Sequence, residues 1–181
     1  MIESIKKTLS IADAINNGVG RALGYLILPI FGLLMVEVIR RYIFNSPTVW
    51  GNELTQMMFG VYVVLPAGYI LVSGGHVNVD ILSSRLSPQK QALLDIISSF
   101  LFFIFTGFLV FYGSSLAWES VSMLETSQTA WDVPIYPIKL MIPLGAVLLL
   151  IQGIAKLIRD IVLFITGEDI SVQTLQQKET L

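Results

Sequence analysis

The sequence predicts an all-α integral membrane protein. Four transmembrane helices are expected, with an amphipathic interfacial helix before the first and an amphipathic extension of the last. Three observations lead there. Of the 181 residues, 54% are hydrophobic and only 13% charged, whereas a soluble domain carries nearer a quarter charged. The mean hydropathy is +0.75. The apolar residues also fall in long blocks, and a block of about 20 residues at 1.5 Å each gives about 30 Å, the thickness of a hydrocarbon core.

Composition also excludes whole classes of function. A net charge of -2 and a pI near 5.3 leave no global basic field to recruit nucleic acid. The absence of cysteine rules out disulfides, thiolate metal sites, a cysteine nucleophile and iron–sulfur clusters. One histidine cannot supply a bis-His haem site within one chain. No cofactor is expected. Lys6 and Lys7 resemble the charged region of a signal peptide, but Asp13, Asn16 and Asn17 interrupt what would be its apolar core.

Residues 1–17 read as an amphipathic interfacial helix. Ile5, Leu9, Ala12, Ile15 and Val19 step by three or four, with Glu3, Lys6, Lys7, Asp13 and Asn16 on other faces. Asn17-Gly18 then reads as a helix stop that lets the chain turn into the bilayer. A membrane domain is expected over 18–167, with spans at about 19–39, 54–72, 93–118 and 138–157.

Within the first span, Pro29 predicts a kink near Tyr25. Near its far end Glu37 stands three and four residues from Arg40 and Arg41, so either pair fits one helix face. Pairing lowers the cost of a carboxylate at the membrane boundary. Gly60 and Gly68 in the second span favour close approach to another helix. Ser73-Gly74-Gly75 ends that span, and His76 to Leu82 alternates polar and apolar residues.

Ser87-Pro88 is an N-cap and first-turn pair for the next helix. That third span is the longest, which implies tilt or projection beyond the bilayer. An acidic loop follows, with Glu119, Glu125 and Asp132 and no Lys or Arg until Lys139. Trp118, Trp131 and Tyr136 stand at its edges, where interfacial aromatics are expected. The last helix is entered through Pro134, Pro137 and Pro143, continues amphipathically past Lys156, Arg159 and Asp160, and stops at Thr166-Gly167. Residues 168–181 read as a mobile cytoplasmic tail.

With both termini cytoplasmic, the inside collects Lys6, Lys7, Arg21, Arg85, Lys90, Lys156, Arg159 and Lys178. The outside keeps Arg40, Arg41 and Lys139, so the positive-inside rule supports this orientation. Arg40-Arg41 is discordant, which points to local neutralisation by Glu37 or Glu53, or to docking.

His76 and Asp80, with Asn78 between them, are the one His–carboxylate neighbourhood, and a metal site needs a further strong ligand that is not near in sequence. A polar turn on the cytoplasmic side is the better reading, and no enzyme activity is expected. Carriers place polar groups near the midplane. Here the strongest midspan polar residues are Ser98, Ser99, Thr106 and Gln152, all uncharged. That is the pattern of a scaffold. Trp50 and Glu53 read as an interfacial anchor and a first-turn carboxylate favoured by the helix dipole. With Glu37, Arg40 and Arg41 they also form a candidate clamp or partner-docking site at the first hairpin.

The order of these motifs resembles a known family. An Arg-Tyr exit at Arg41-Tyr42, then Trp50-Gly51-Asn52-Glu53-Leu54, then Gly75-His76-Val77-Asn78-Val79-Asp80-Ile81-Leu82 and Val133-Pro134-Ile135-Tyr136-Pro137 are similar to the small membrane subunit (DctQ type) of tripartite ATP-independent periplasmic (TRAP) transporters. Asn52 stands where that family commonly has a first of two acids, which puts a two-carboxylate role in doubt. The resemblance implies a bacterial or archaeal inner-membrane scaffold in a sodium-coupled, binding-protein-dependent transporter of organic acids. Its implied partners are a large multi-span transport subunit, a periplasmic substrate-binding protein and membrane lipids. Glu119, Glu125 and Asp132 then form a candidate docking loop for the binding protein. The alternative is an independent four-span protein that makes a homo-oligomeric channel or organises the membrane.

Overall fold

The computed structural model describes residues 2–74 and 87–167. Four helical segments in it are long and apolar enough to cross a membrane: Lys6–Tyr42, Gly51–Val72, Pro88–Ser122 and Tyr136–Thr166. Prolines and one turn divide them into seven helices. The first crossing is α1 (Ile2–Gly24) and α2 (Ile27–Tyr42), and the second is α3 (Gly51–Val64) and α4 (Ala67–Val72). The third is α5 (Pro88–Ser122), and the fourth is a short α6 (Tyr136–Lys139) followed by α7 (Met141–Thr166).

Each break has a local cause. The turn at Tyr25-Leu26 lies four residues before Pro29, whose ring would meet the carbonyl of Tyr25 in a continuous helix. In the second crossing the break is at Leu65-Pro66 itself, where Pro66 has no N–H to continue the helix hydrogen bonds. Pro143 falls in the first turn of α7, where its missing N–H costs little. That helix ends on Gly167, which is left-handed at φ 72° and donates its N–H to the Leu163 carbonyl at 2.9 Å.

One expectation fails. Asn17-Gly18 does not stop the first helix, which runs unbroken from Ile2 to Gly24. Tertiary contacts override the local signal. Leu9, Ala12, Asn16 and Gly20 form one buried face spaced by three and four residues, and each turn has something to pack against. Leu9 and Ala12 meet Ala155 of α7, and Gly20 lies under the Tyr69 ring of α4. A helix gripped on both sides of residue 18 keeps its hydrogen bonds through a glycine that costs about 1 kcal/mol.

The seams between crossings are made close by small residues. A Cβ at Gly145 would lie 2.7 Å from the carbonyl oxygen of Val64, and one at Gly153 would lie 2.2 Å from the Phe102 ring. These two contacts set α7 against α3 and α5 respectively. Gly68 is equally crowded, by Asn16, whereas Gly60 makes ordinary contact with Ile138 and brings no backbones together. Outside the seams the surface is apolar. Phe100, Leu101, Phe105 and Phe111 of α5 are all more than 60% exposed, as a face turned to lipid must be.

Candidate functional site

The charged side chains of this bundle gather at its two ends. At one end, the link between α2 and α3 is built around Glu37. Its side chain is largely buried and takes three donors. Arg41 Nη2 donates to Oε1 at 2.9 Å from the next turn of the helix, and the Thr48 backbone N–H donates to Oε2 at 3.2 Å. The Thr48 hydroxyl donates to the same oxygen. It also accepts the Gly51 N–H at 3.0 Å, which satisfies one of the unpaired donors at the start of α3. Gly51 has to be this small, because a Cβ there would lie 2.4 Å from Thr48 Oγ1.

The residues expected to act as one clamp divide into two groups. Glu37 selects Arg41, and Arg40 turns back to the loop, where its Nε donates to the Ser46 carbonyl at 3.1 Å. Trp50 is exposed and precedes α3. Glu53 meets neither arginine. It accepts a hydrogen bond from Ser127 Oγ at 3.1 Å, which ties the start of α3 to the loop between α5 and α6. Thr48 was missed in the sequence, although a hydroxyl that accepts the N–H three residues on is the bond an N-cap makes.

That second loop is folded back on itself. Thr126 and Pro134 form an antiparallel bridge, flanked by hydrogen bonds from Ser127 N to Val133 O and from Ile135 N to Glu125 O. Leu124, Gln128 and Asp132 hold the tight corners with positive φ. The three expected docking acids occupy different places. Glu125 is paired with Lys139 of α6, and hydrogen bonding from that ammonium holds its carboxyl below the ordinary 4.5. Asp132 is exposed on the loop, and Glu119 is exposed on the last turns of α5. His76, Asp80 and the 168–181 tail lie outside the described residues.

At the opposite end a second network joins three crossings. Gln152 of α7, 1% exposed, accepts a hydrogen bond from Asn16 Nδ2 at 3.0 Å and donates to Asp13 Oδ1 at 2.9 Å. Arg159 takes the other oxygen of Asp13. Lys156 pairs with Asp95 of α5 and Asp160 of its own helix, each at 2.8 Å. Sequence reasoning placed these residues on separate helices without seeing that they meet. Among the described residues no group of three or more His, Cys, Asp or Glu is placed to hold a metal.

Both polar ends are therefore internal fastenings around four uncharged stretches. Comparison with known proteins identifies what this arrangement belongs to. The family model for tripartite ATP-independent periplasmic transporters, DctQ component, matches residues 30–163. The chain belongs to the DctQ family. Members are membrane components of a transporter, so this subunit is not an enzyme. It is also similar to the sialic acid TRAP transporter permease protein SiaT of Haemophilus influenzae (strain 86-028NP), at 33% identity over 67 residues. The match spans 37% of this DctQ-family chain and 11% of that much longer relative.

Proposed function

We propose that this small TRAP-type membrane subunit is the fixed scaffold of a sodium-coupled, binding-protein-dependent importer of organic acids. It packs beside a large multi-span transport subunit, enlarges the part anchored in the bilayer, and offers periplasmic surface to the substrate-binding protein. One observation carries this reading. Ala22–Val36, Leu54–Val72, Ile96–Trp118 and Leu140–Ala155 hold no charged residue, and glycine seams fasten the crossings to which they belong. A bundle closed in this way supplies mass and rigidity, and transport falls to a partner. The length of the SiaT relative supports it, since a matched stretch covering 11% of a protein leaves ample chain for such a partner.

In this reading both termini are cytoplasmic and the Glu37–Thr48 hairpin is periplasmic, in an inner membrane. The hairpin orders the periplasmic rim. With Glu125 engaged by Lys139, docking of the binding protein falls to Arg40, Trp50, Glu119 and Asp132, which remain accessible. Purification under mild detergent tests the assembly, because the chain should bring a large hydrophobic companion with it. A chain that runs alone refutes the scaffold role. Replacing Arg40 and Arg41 by Ala should lower uptake while the soluble protein still captures substrate, and unchanged uptake counts against the hairpin's part.

A further inference from the structure

Arg41, Lys139, Lys156 and Arg159 each meet a carboxylate, and Arg40 turns to Ser46. Arg21 of α1 is different. It is exposed, and among the described residues no hydrogen bond or ion pair reaches its guanidinium. Its depth makes that costly. Gly20, the residue before it, lies under the Tyr69 ring, three residues before the second crossing ends at Val72. Beyond it the chain carries no charge from Ala22 to Val36. The guanidinium therefore stands at the edge of the hydrocarbon, where a cation must pair or reach the headgroups. Its direction is set by the helix, which buries Leu9, Ala12, Asn16 and Gly20 and leaves Lys7, Ile11, Gly18 and Arg21 exposed. The side chain is turned to lipid, away from the bundle.

What surrounds it fits a phosphate. Tyr25 stands one turn beyond, four residues on, and is 75% exposed. A guanidinium fork and a phenol at that spacing offer N–H and O–H donors to one oxyanion. Gly18 and Gly24, three residues to either side of Arg21, have nothing within 4 Å of a Cβ built on them, so a headgroup has room. The acids described at this end are engaged elsewhere. Asp13 is held by Gln152 and Arg159, while Asp95 and Asp160 hold Lys156. The local charge is therefore positive. It favours a lipid of net negative charge over a zwitterionic one, whose ammonium meets no free acid here. Leu28 and Phe31 follow in the next turns, exposed and apolar, as surface for acyl chains.

We propose that Arg21 and Tyr25 form a headgroup site for an anionic phospholipid such as phosphatidylglycerol, both side chains donating to its phosphate. This does not rest on the transporter reading. The full chain is released from micelles holding phosphatidylglycerol and phosphatidylethanolamine at equal mole fraction, and native mass spectrometry reads the ratio of the two adducts. One cation near a headgroup is worth a factor of about five in local lipid preference. Phosphatidylglycerol should dominate to that extent. Arg21→Gln should bring the two adducts level. Lys7→Gln removes an exposed cation about four turns away on the same helix and should leave the ratio unchanged. Tyr25→Phe should lower both adducts together, because both lipids carry the phosphate. No adduct of either lipid, an even ratio in the unaltered chain, or a preference that survives Arg21→Gln overturns the site. Equal loss on Lys7→Gln means diffuse attraction by charge alone and also overturns it. Displacement of the lipid by added inorganic phosphate overturns the lipid as occupant.

Discussion

At the hairpin end, Glu37 finds Arg41 four residues away and Thr48 eleven away. At the terminal end, Asn16 reaches Gln152 across 136 residues and Asp13 reaches Arg159 across 146. Both clusters are polar and partly buried, yet they constrain different things. A local cluster orders a turn between two helices that would form without it. A long-range cluster fixes which faces of distant helices meet, because a buried amide shifted by one turn loses its partner. Damage to the first should loosen a loop, and damage to the second should loosen the bundle.

The sharpest way to break this contrast is to add one methyl group at each end. Gly68→Ala puts a Cβ 2.0 Å from Asn16 Oδ1 and 3.1 Å from the Leu148 carbonyl. It should prise α4 from α1 and α7 at a cost of about 1–3 kcal/mol, read as a lower Tm in detergent. Gly51→Ala meets Thr48 Oγ1 at 2.4 Å instead. It should leave Tm nearly unchanged while speeding amide exchange at Thr48 and Gly51. Equal Tm losses would erase the distinction between the ends.

A smaller effect is expected from Gln152→Leu, which removes the bonds to both Asn16 and Asp13. Hydrogen bonds between helices in a membrane are worth about 0.6–2 kcal/mol. A double-mutant cycle with Asn16→Ala should show coupling of that order, and strict additivity would mean that the pair is idle. Glu37→Gln comes next. An amide in place of the carboxylate loses its charge-assisted bond with Arg41 and turns an acceptor away from Thr48. The expected result is a mobile hairpin, seen as proteolysis between Tyr42 and Trp50, with global stability retained.

The least effect is that of acid on the second loop. The Lys139 hydrogen bond places the folded-state pKa of Glu125 below the ordinary 4.5. A depressed carboxyl contributes stability that is fully present above its unfolded value and is lost as pH falls through its folded one. Proteolysis of 123–135 should therefore accelerate only below pH 4.5. Lys139→Met should move that onset upward towards 4.5, and an unmoved onset would deny the pair its role.

Much of this was legible in the chain itself. Four apolar blocks set four crossings, because a polar backbone can enter hydrocarbon only as a helix that satisfies its own hydrogen bonds. Pro29 located the break at Tyr25, and Glu37 stood within one turn of its cation. All of these are effects of neighbours in sequence. The continuation of α1 through Gly18, the choice of Arg41 over Arg40, and the bonds of Glu53 to Ser127 and of Glu125 to Lys139 depend on what packing brings alongside. The meeting of Asp13, Asn16, Gln152 and Arg159 is the clearest instance. Nothing in local periodicity distinguishes a polar residue that will be buried against a partner from one that will face water. Only the closing of α1 onto α7, turn by turn over Leu9, Ala12 and Ala155, decided it.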